Sequence, residues 1–306
     1  MTLQELHAGG KRALADALVR IEAAPDAPDC AALLDAAWAE PKGFVLGLTG
    51  PPGVGKSTLI DALIRILRGR RKTVAVIAID PSSSRTGGAL LGDRTRLTTD
   101  PKDHGIFVRS MAARDRLGGI AEITFPASVL IRALYDVVIV ETVGIGQSET
   151  EITSVADITA FLAQPGSGDA LQYMKAGIME IPDLVVVTKS DLGAIARRTV
   201  ADLRGALSLS PGREVPVVPC AAGAGQGVES VVEEVCSIHA KLAPRFGESR
   251  ENQIRAWADQ QLRARFGLEG IRLLRESDRE LSTESPFTAI RSGNIRLSLA
   301  LTAAFQ

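Results

Sequence analysis

The residues Gly50-Pro51-Pro52-Gly53-Val54-Gly55-Lys56-Ser57 satisfy the pattern G-x-x-x-x-G-K-[ST]. The chemistry served by this spacing is phosphate binding. Glycines let the backbone curl until successive N–H groups point inward at anionic oxygens. A helix that starts at the end of the loop presents its positive end to the same anion. Lys56 adds a full charge near the β- and γ-phosphates of a nucleotide, which makes it a catalytic candidate, and Ser57 offers a hydroxyl to Mg²⁺. Thr58 opens the helical run Thr58–Leu67, and the apolar strand Phe44–Leu48 precedes the loop. Strand, loop and helix therefore stand in the order that phosphate binding requires, and residues 50–58 are candidates for nucleotide contact.

A phosphate loop needs carboxylates to hold the water shell of its metal. Two apolar strands end in one: Ile77-Ala78-Ile79-Asp80 and Val138-Ile139-Val140-Glu141. In an open α/β sheet the ligand lies beyond the carboxyl ends of the strands, which places Asp80 and Glu141 at the phosphate end. Magnesium keeps several waters, so either acid can act directly or through water.

Glu141-Thr142-Val143-Gly144 is an ExxG relative of the DxxG turn of GTPases, in which the glycine N–H reaches the γ-phosphate. Gln147 follows, as a water-orienting residue or as an exposed loop glutamine. Further on, Val185-Val186-Val187 runs into Thr188-Lys189-Ser190-Asp191, a T-K-x-D that resembles the guanine-reading N-K-x-D element. There the aspartate accepts from guanine N1 and the exocyclic amine, and the lysine stem packs over the base; adenine offers the wrong donors. Pro219-Cys220-Ala221-Ala222, after the next strand, resembles the degenerate SAK-type loop that contacts the base through backbone.

The elements that position these residues are short apolar strands alternating with helices: Phe44–Leu48, Thr73–Ile79, Ile106–Arg109, Val137–Val140, Ile158–Ala163, Leu184–Val187 and Val215–Pro219. Continuous apolar strands separated by helices produce a parallel sheet covered on both faces. The expected fold class is α/β, a doubly wound, mostly parallel P-loop NTPase sheet over residues 44–240 with helical extensions at both ends. Residues 1–43 read as helices, with Leu14, Ala17, Leu18 and Ile21 at helical spacing and a break at Pro25-Asp26-Ala27-Pro28. In 241–306, Ile254, Ala258, Leu262 and Phe266 recur every fourth residue beside Trp257, the mark of one amphipathic helix that packs on its own domain or serves as a dimerisation arm.

Composition narrows the class. A net charge of -1 argues against nucleic-acid binding as the main activity. Cys30, Cys220 and Cys236 form no CxxC pair and suit a reducing cytosol. Glu5 and Asp16 near the start disfavour a secretory or transit peptide, and no apolar run is long enough for a bilayer, so a cytoplasmic protein without membrane or nucleic-acid partners is expected.

Three longer stretches resemble one family. They are Asp80-Pro81-Ser82-Ser83-Ser84-Arg85-Thr86-Gly87-Gly88, Leu91-Gly92-Asp93-Arg94-Thr95-Arg96, and Glu141 through Glu149; Pro165-Gly166-Ser167-Gly168-Asp169, Gln172 and Lys175 continue the match. They look like the MeaB/ArgK group of SIMIBI-class GTPases, chaperones of methylmalonyl-CoA mutase and related B12 mutases, and the likeness covers about residues 10–240. The resemblance implies a homodimer with a C-terminal helical arm. It also implies slow GTP hydrolysis stimulated by the mutase, gated delivery of adenosylcobalamin, and protection of the mutase. Segments 82–98 and 142–150 would be switches, and 165–177 a third facing the mutase. By that mapping Asp93 approaches the metal or the attacking water, and Lys175 nears the nucleotide in the activated state. Read alone, Asp93, Arg94 and Arg96 are a solvated charged loop. Thr188 stands where the family has Asn, Gln164 stands where an apolar residue is common, and Glu122–Leu134 lacks the family's charged helix.

Two other activities use a related sheet. An ATP-dependent small-molecule kinase needs an acceptor pocket and no guanine reader, against which Lys189 and Asp191 stand. A nickel or cobalt metallochaperone GTPase wants a His-rich tract or clustered cysteines, whereas His7, His104 and His239 are scattered. A nucleotide-gated scaffold without catalysis is disfavoured by the intact Lys56, Ser57 and metal acids.

Overall fold

The computed structural model describes residues 1–80, 97, 99–112, 122–142, 151–166, 181–208, 214–277 and 285–304, without the side chains of 80, 112, 268–277 and 299–304. In chain order its elements are α1 (Leu3–Ala23), α2 (Pro28–Ala39), β1 (Phe44–Thr49), α3 (Lys56–Gly69), β2 (Val74–Asp80), β3 (Ile106–Ala112), α4 (Thr124–Leu134), β4 (Val137–Glu141), β5 (Ile158–Ala163), β6 (Leu184–Val187), α5 (Ala194–Leu207), β7 (Val217–Pro219), α6 (Val228–Leu242), α7 (Phe246–Ser277) and α8 (Pro286–Ala304). They divide into two compact units: residues 43–124 with 135–246, and residues 1–42 with 125–134 and 247–306.

The first unit is a seven-stranded sheet in the order β3-β2-β4-β1-β5-β6-β7, every pair parallel. Its central strands are mostly apolar because both faces are covered. Along β5 and β6 the side chains alternate between two cores. Ala160, Leu162, Leu184 and Val186 join Leu59, Leu63, Val231 and Val235 of α3 and α6. Phe161, Ala163, Val185 and Val187 join Val200, Leu203 and Leu207 of α5. This period-two division is the doubly wound arrangement expected from the sequence.

Strand ends shift slightly from the sequence pattern, for local reasons. Thr73 stands before β2 because its N–H and hydroxyl both donate to Asp136 Oδ2, at 2.7 and 2.6 Å. Pro216, with no N–H, keeps Val215 out of β7. β3 runs on to Ala112, past Arg109, paired along its length with β2.

The second unit is helical. α1 opens on a capping box between Thr2 and Glu5. Leu14, Ala17, Leu18 and Ile21 are buried, as their spacing predicts. Near the other end the single expected helix is two. α7 is broken at Gly267, where φ is 68° and ψ -170°, and α8 follows as a separate helix that packs on α2. Asp35 of α2 accepts from the N–H groups of Phe287 (2.8 Å) and Thr288 (3.1 Å), capping α8 from a distant part of the chain. Trp257 stacks on Phe125 with ring centroids 5.4 Å apart and sits 5.7 Å from Phe287. Among the described residues no helix is long and apolar enough to cross a membrane.

Candidate nucleotide-binding site

The carboxyl ends of the central strands lie along one edge of the sheet. Leu48 of β1 pairs with Glu141 of β4, Glu141 with Ala78 of β2, Ala163 of β5 with Val187 of β6, and Val187 with Pro219 of β7. Every described residue that the sequence marks as a site candidate emerges at this edge.

The loop after β1 is forced by its neighbour. Gly50 has φ 145°, and a Cβ there would stand 2.5 Å from the carbonyl oxygen of Leu162 in β5. Only glycine lets the chain leave β1 this close to the next strand. The loop then turns through Gly53 (φ 73°) and Gly55 (φ 105°) into α3. α3 carries no acidic residue in its first turn, so its positive end is left for an anion. Lys56 is 7% exposed. Its ammonium donates to the carbonyls of Gly50 at 2.7 Å and Pro51 at 3.2 Å, laid across the loop that holds it.

Ser57 and Glu141, 84 residues apart in sequence, meet directly: the hydroxyl donates to Glu141 Oε1 at 3.1 Å. The strands beneath are stitched by Thr142, whose N–H donates to Leu48 O at 3.2 Å and whose hydroxyl bonds that of Thr49 at 3.0 Å. A hydroxyl and a carboxylate at the mouth of a phosphate loop are hard oxygen donors, the set that suits Mg²⁺. Asp80 closes β2 two residues beyond Ala78, which pairs with Glu141; its side chain is outside the described residues.

The T-K-S-D segment is bound to the phosphate loop. Thr188, 6% exposed, donates its N–H to Ala163 O at 2.8 Å. Its hydroxyl stands 2.7 Å from Val54 O and 3.1 Å from Ala163 O, and its one proton serves one of them at a time. Lys189 adopts left-handed backbone angles, φ 50° and ψ 40°. Its ammonium donates to Gly53 O at 3.0 Å and to Gln164 Oε1 at 2.9 Å. Asp191 is exposed in the short turn that follows.

The loop after β7 completes the cradle. Cys220 donates its N–H to Val187 O at 2.8 Å and accepts from Ser190 N–H at 3.1 Å. Ala221 bridges to Gln226, which folds Ala222 into the turn between them. Gly227 has φ 74°, and a Cβ there would lie 2.4 Å from Pro219 O. Burial pushes the Cys220 thiol up to about 11, so it stays neutral.

Lys56, Ser57 and Glu141 thus stand together, and Thr188, Lys189 and Cys220 are tied to them by hydrogen bonds. Asp93, Gly144, Gln147 and Lys175 lie outside the described residues. Two further contributions have no role assigned by the sequence patterns. Gln164 supports Lys189, and the Thr49–Thr142 pair joins β1 to β4. Gln164 carries the same signal as Asp80 and Glu141, a polar residue closing an apolar strand.

Comparison with known proteins agrees with this geometry. The sequence model of the family described as methylmalonyl Co-A mutase-associated GTPase MeaB matches residues 14–267. A protein of Pyrococcus abyssi (strain GE5 / Orsay) named as a GTPase is 42% identical over 217 residues, 69% of this chain and 66% of that protein. The mitochondrial methylmalonic aciduria type A homolog of Mus musculus is 38% identical over 227 residues, 71% of this chain and 55% of that one. The chain thus spans about two thirds of the first relative's length and little more than half of the second's. Among solved structures, the LAO/AO transport system kinase superposes with a TM-score of 0.64 at 26% identity, covering 98% of this chain and 96% of that one. HypB from Helicobacter pylori in complex with nickel shares the fold, with a TM-score of 0.50 at 18% identity over 73% of this chain and 94% of its own. A phosphate loop with a hydroxyl and a carboxylate hydrogen-bonded at its mouth, a T-K-S-D loop hydrogen-bonded to it, and a family match over most of the sequence lead to one assignment: the chain belongs to the MeaB family of methylmalonyl-CoA mutase-associated GTPases.

Proposed function

We propose that this protein is a magnesium-dependent GTPase and a chaperone of an adenosylcobalamin-dependent acyl-CoA mutase, methylmalonyl-CoA mutase or a relative. In this role it gates cofactor loading and protects or reactivates the client. The observation that carries the GTPase reading is the bond from Lys189 to Gly53 O, which fixes a base-reading loop against the phosphate loop. Family membership supports the client. The family resemblance supports a homodimer, with residues 1–43 and 241–306 as helical extensions of a GTPase domain at 44–240 and the latter as the dimerisation arm; Glu5 and Asp16 near the start and the shortness of the apolar runs support a cytoplasmic location.

In the reaction, a water oxygen bonds to the γ-phosphorus, the bond from that phosphorus to the β–γ bridging oxygen breaks, and GDP leaves with the electron pair. The loop N–H groups and Lys56 offset charge on the β- and γ-phosphates. Ser57 and Glu141, with Asp80, would hold Mg²⁺, which supplies further neutralisation of phosphate charge when bound. Thr188, Lys189, Asp191, Cys220, Ala221 and Ala222 read the base. Positioning of the water falls to Asp93, Gln147 or Lys175, brought into place by the bound mutase, with Gly144 sensing the γ-phosphate.

The test has two arms. By calorimetry GDP should bind at least about tenfold tighter than ADP, since adenine leaves Asp191 without donors; Asp191→Asn should move preference toward xanthine nucleotides. GTP turnover should be slow alone and rise with a cobalamin mutase from the same source, and coupling must be reciprocal in binding free energy. Equal GDP and ADP affinities would favour the kinase reading suggested by the name of the transport system kinase relative. Fast unaided turnover, with no complex in any nucleotide state, would remove the client.

A further inference from the structure

We infer that Gln164 is a positioning residue for the base-contacting lysine, and so a determinant of nucleotide affinity in this chain. The inference rests on the nucleotide reading of the site. Lys189 carries an ammonium with three protons, and two of them are committed at fixed points: Gly53 O at 3.0 Å and Gln164 Oε1 at 2.9 Å. An ammonium only donates, so the oxygen of the carboxamide must face it. Gln164 follows directly on Ala163, whose carbonyl takes the Thr188 N–H, and is half-buried before the buried Pro165. The acceptor therefore sits on the first residue after β5, next to the backbone bond between Ala163 and Thr188.

Backbone geometry points the same way. Lys189 holds φ 50°, a conformation uncommon for a residue with a Cβ and maintained only where its surroundings fix it. The two bonds to its head group fix the side chain that this backbone presents. A lysine stem free to rotate loses substantial rotamer freedom when it packs on a ligand, and a stem already fixed at its far end does not. Gln164 thus lowers the cost of laying the Lys189 stem against the flat face of a nucleobase.

The experiment is calorimetry on the full chain with GDP, ADP and inorganic pyrophosphate, for wild type, Gln164→Met and Gln164→Glu. Methionine keeps the volume and removes the acceptor; glutamate keeps the acceptor. Gln164→Met should weaken GDP by about three- to tenfold, with pyrophosphate and the Gln164→Glu variant within about twofold of wild type. A Gln164→Met variant that binds GDP as wild type does, or that loses GDP and pyrophosphate equally, overturns the inference; the second result would mark a structural role in the phosphate loop. Wild type without a preference for GDP over ADP, but with the Met-versus-Glu contrast intact, overturns the guanine reading alone. If wild type binds neither nucleotide, both fall.

Discussion

At the scale of single residues, the pair with the most direct chemical consequence is Ser57 and Glu141. Their 3.1 Å hydrogen bond joins the first turn of α3 to the end of β4. Replacing Ser57 with alanine removes a hydroxyl from the mouth of the phosphate loop, and replacing Glu141 removes a carboxylate, while Lys56 and its loop stay in place. Ser57→Ala and Glu141→Ala should therefore raise the magnesium concentration for half-maximal GTP turnover by roughly tenfold or more. GDP affinity in chelator should stay close to wild type. Wild-type turnover by Glu141→Ala across a magnesium titration would mean that this carboxylate does not hold the metal. Both residues were legible in the sequence, because a motif fixes Ser57 and an apolar strand points to Glu141. Gln164 was equally visible as a strand-ending polar residue. Its role was not, because its partner Lys189 is 25 residues away and no local pattern records the bond.

At the scale of elements, the phosphate loop owes its course to the strand beside it as much as to its own glycines. Gly50 and Gly53 both have positive φ, but their surroundings differ. A Cβ at Gly50 would meet the Leu162 carbonyl at 2.5 Å, whereas one at Gly53 would have nothing within 4 Å. Gly53→Ala should cost only the left-handed backbone strain, about 1–2 kcal/mol. Gly50→Ala adds a clash against backbone that β5 cannot relieve without moving, so a loss nearer ~3 kcal/mol or more is expected. Thermal unfolding of the two variants checks the order. Equal losses would show that the approach to β5 does not constrain the loop. The motif predicts glycine at position 50 without saying why. The reason lies in parallel register, Leu48 beside Ala160 and Thr49 beside Phe161, which depends on strand order and so on long-range pairing that single-sequence periodicity does not contain. The strands themselves were readable because burial on both faces leaves near-continuous apolar runs.

At the scale of the whole molecule, the sheet unit occupies the middle of the chain, and the helical unit is assembled from both ends together with residues 125–134. The sequence showed helical periodicity at each end, but not that α8 exists as a separate helix nor that it packs on α2. That pairing is written in single polar contacts. Asp35 supplies the cap that the N-terminus of α8 needs, accepting from Phe287 and Thr288 N–H groups some 250 residues further on. Asp26, just before α2, adds a second tie to α8, accepting from Asn294 Nδ2 at 2.9 Å, and also pairs with Arg265 of α7. An aspartate in α2 reads locally as an ordinary polar helix position, so its function as a remote cap leaves no sequence signature. Asp35→Ala should remove the cap and destabilise α8 by about 1–2 kcal/mol. Hydrogen exchange offers the check, since the amides of Phe287 and Thr288 should lose protection before those of the α8 interior. Asp35→Asn retains an acceptor oxygen and should recover part of that protection, because a side-chain carbonyl can still serve the Phe287 N–H. Unchanged exchange at both amides in Asp35→Ala would mean that the first turn of α8 is held by its apolar contacts, Phe287 against Trp38 and Trp257, and not by the carboxylate.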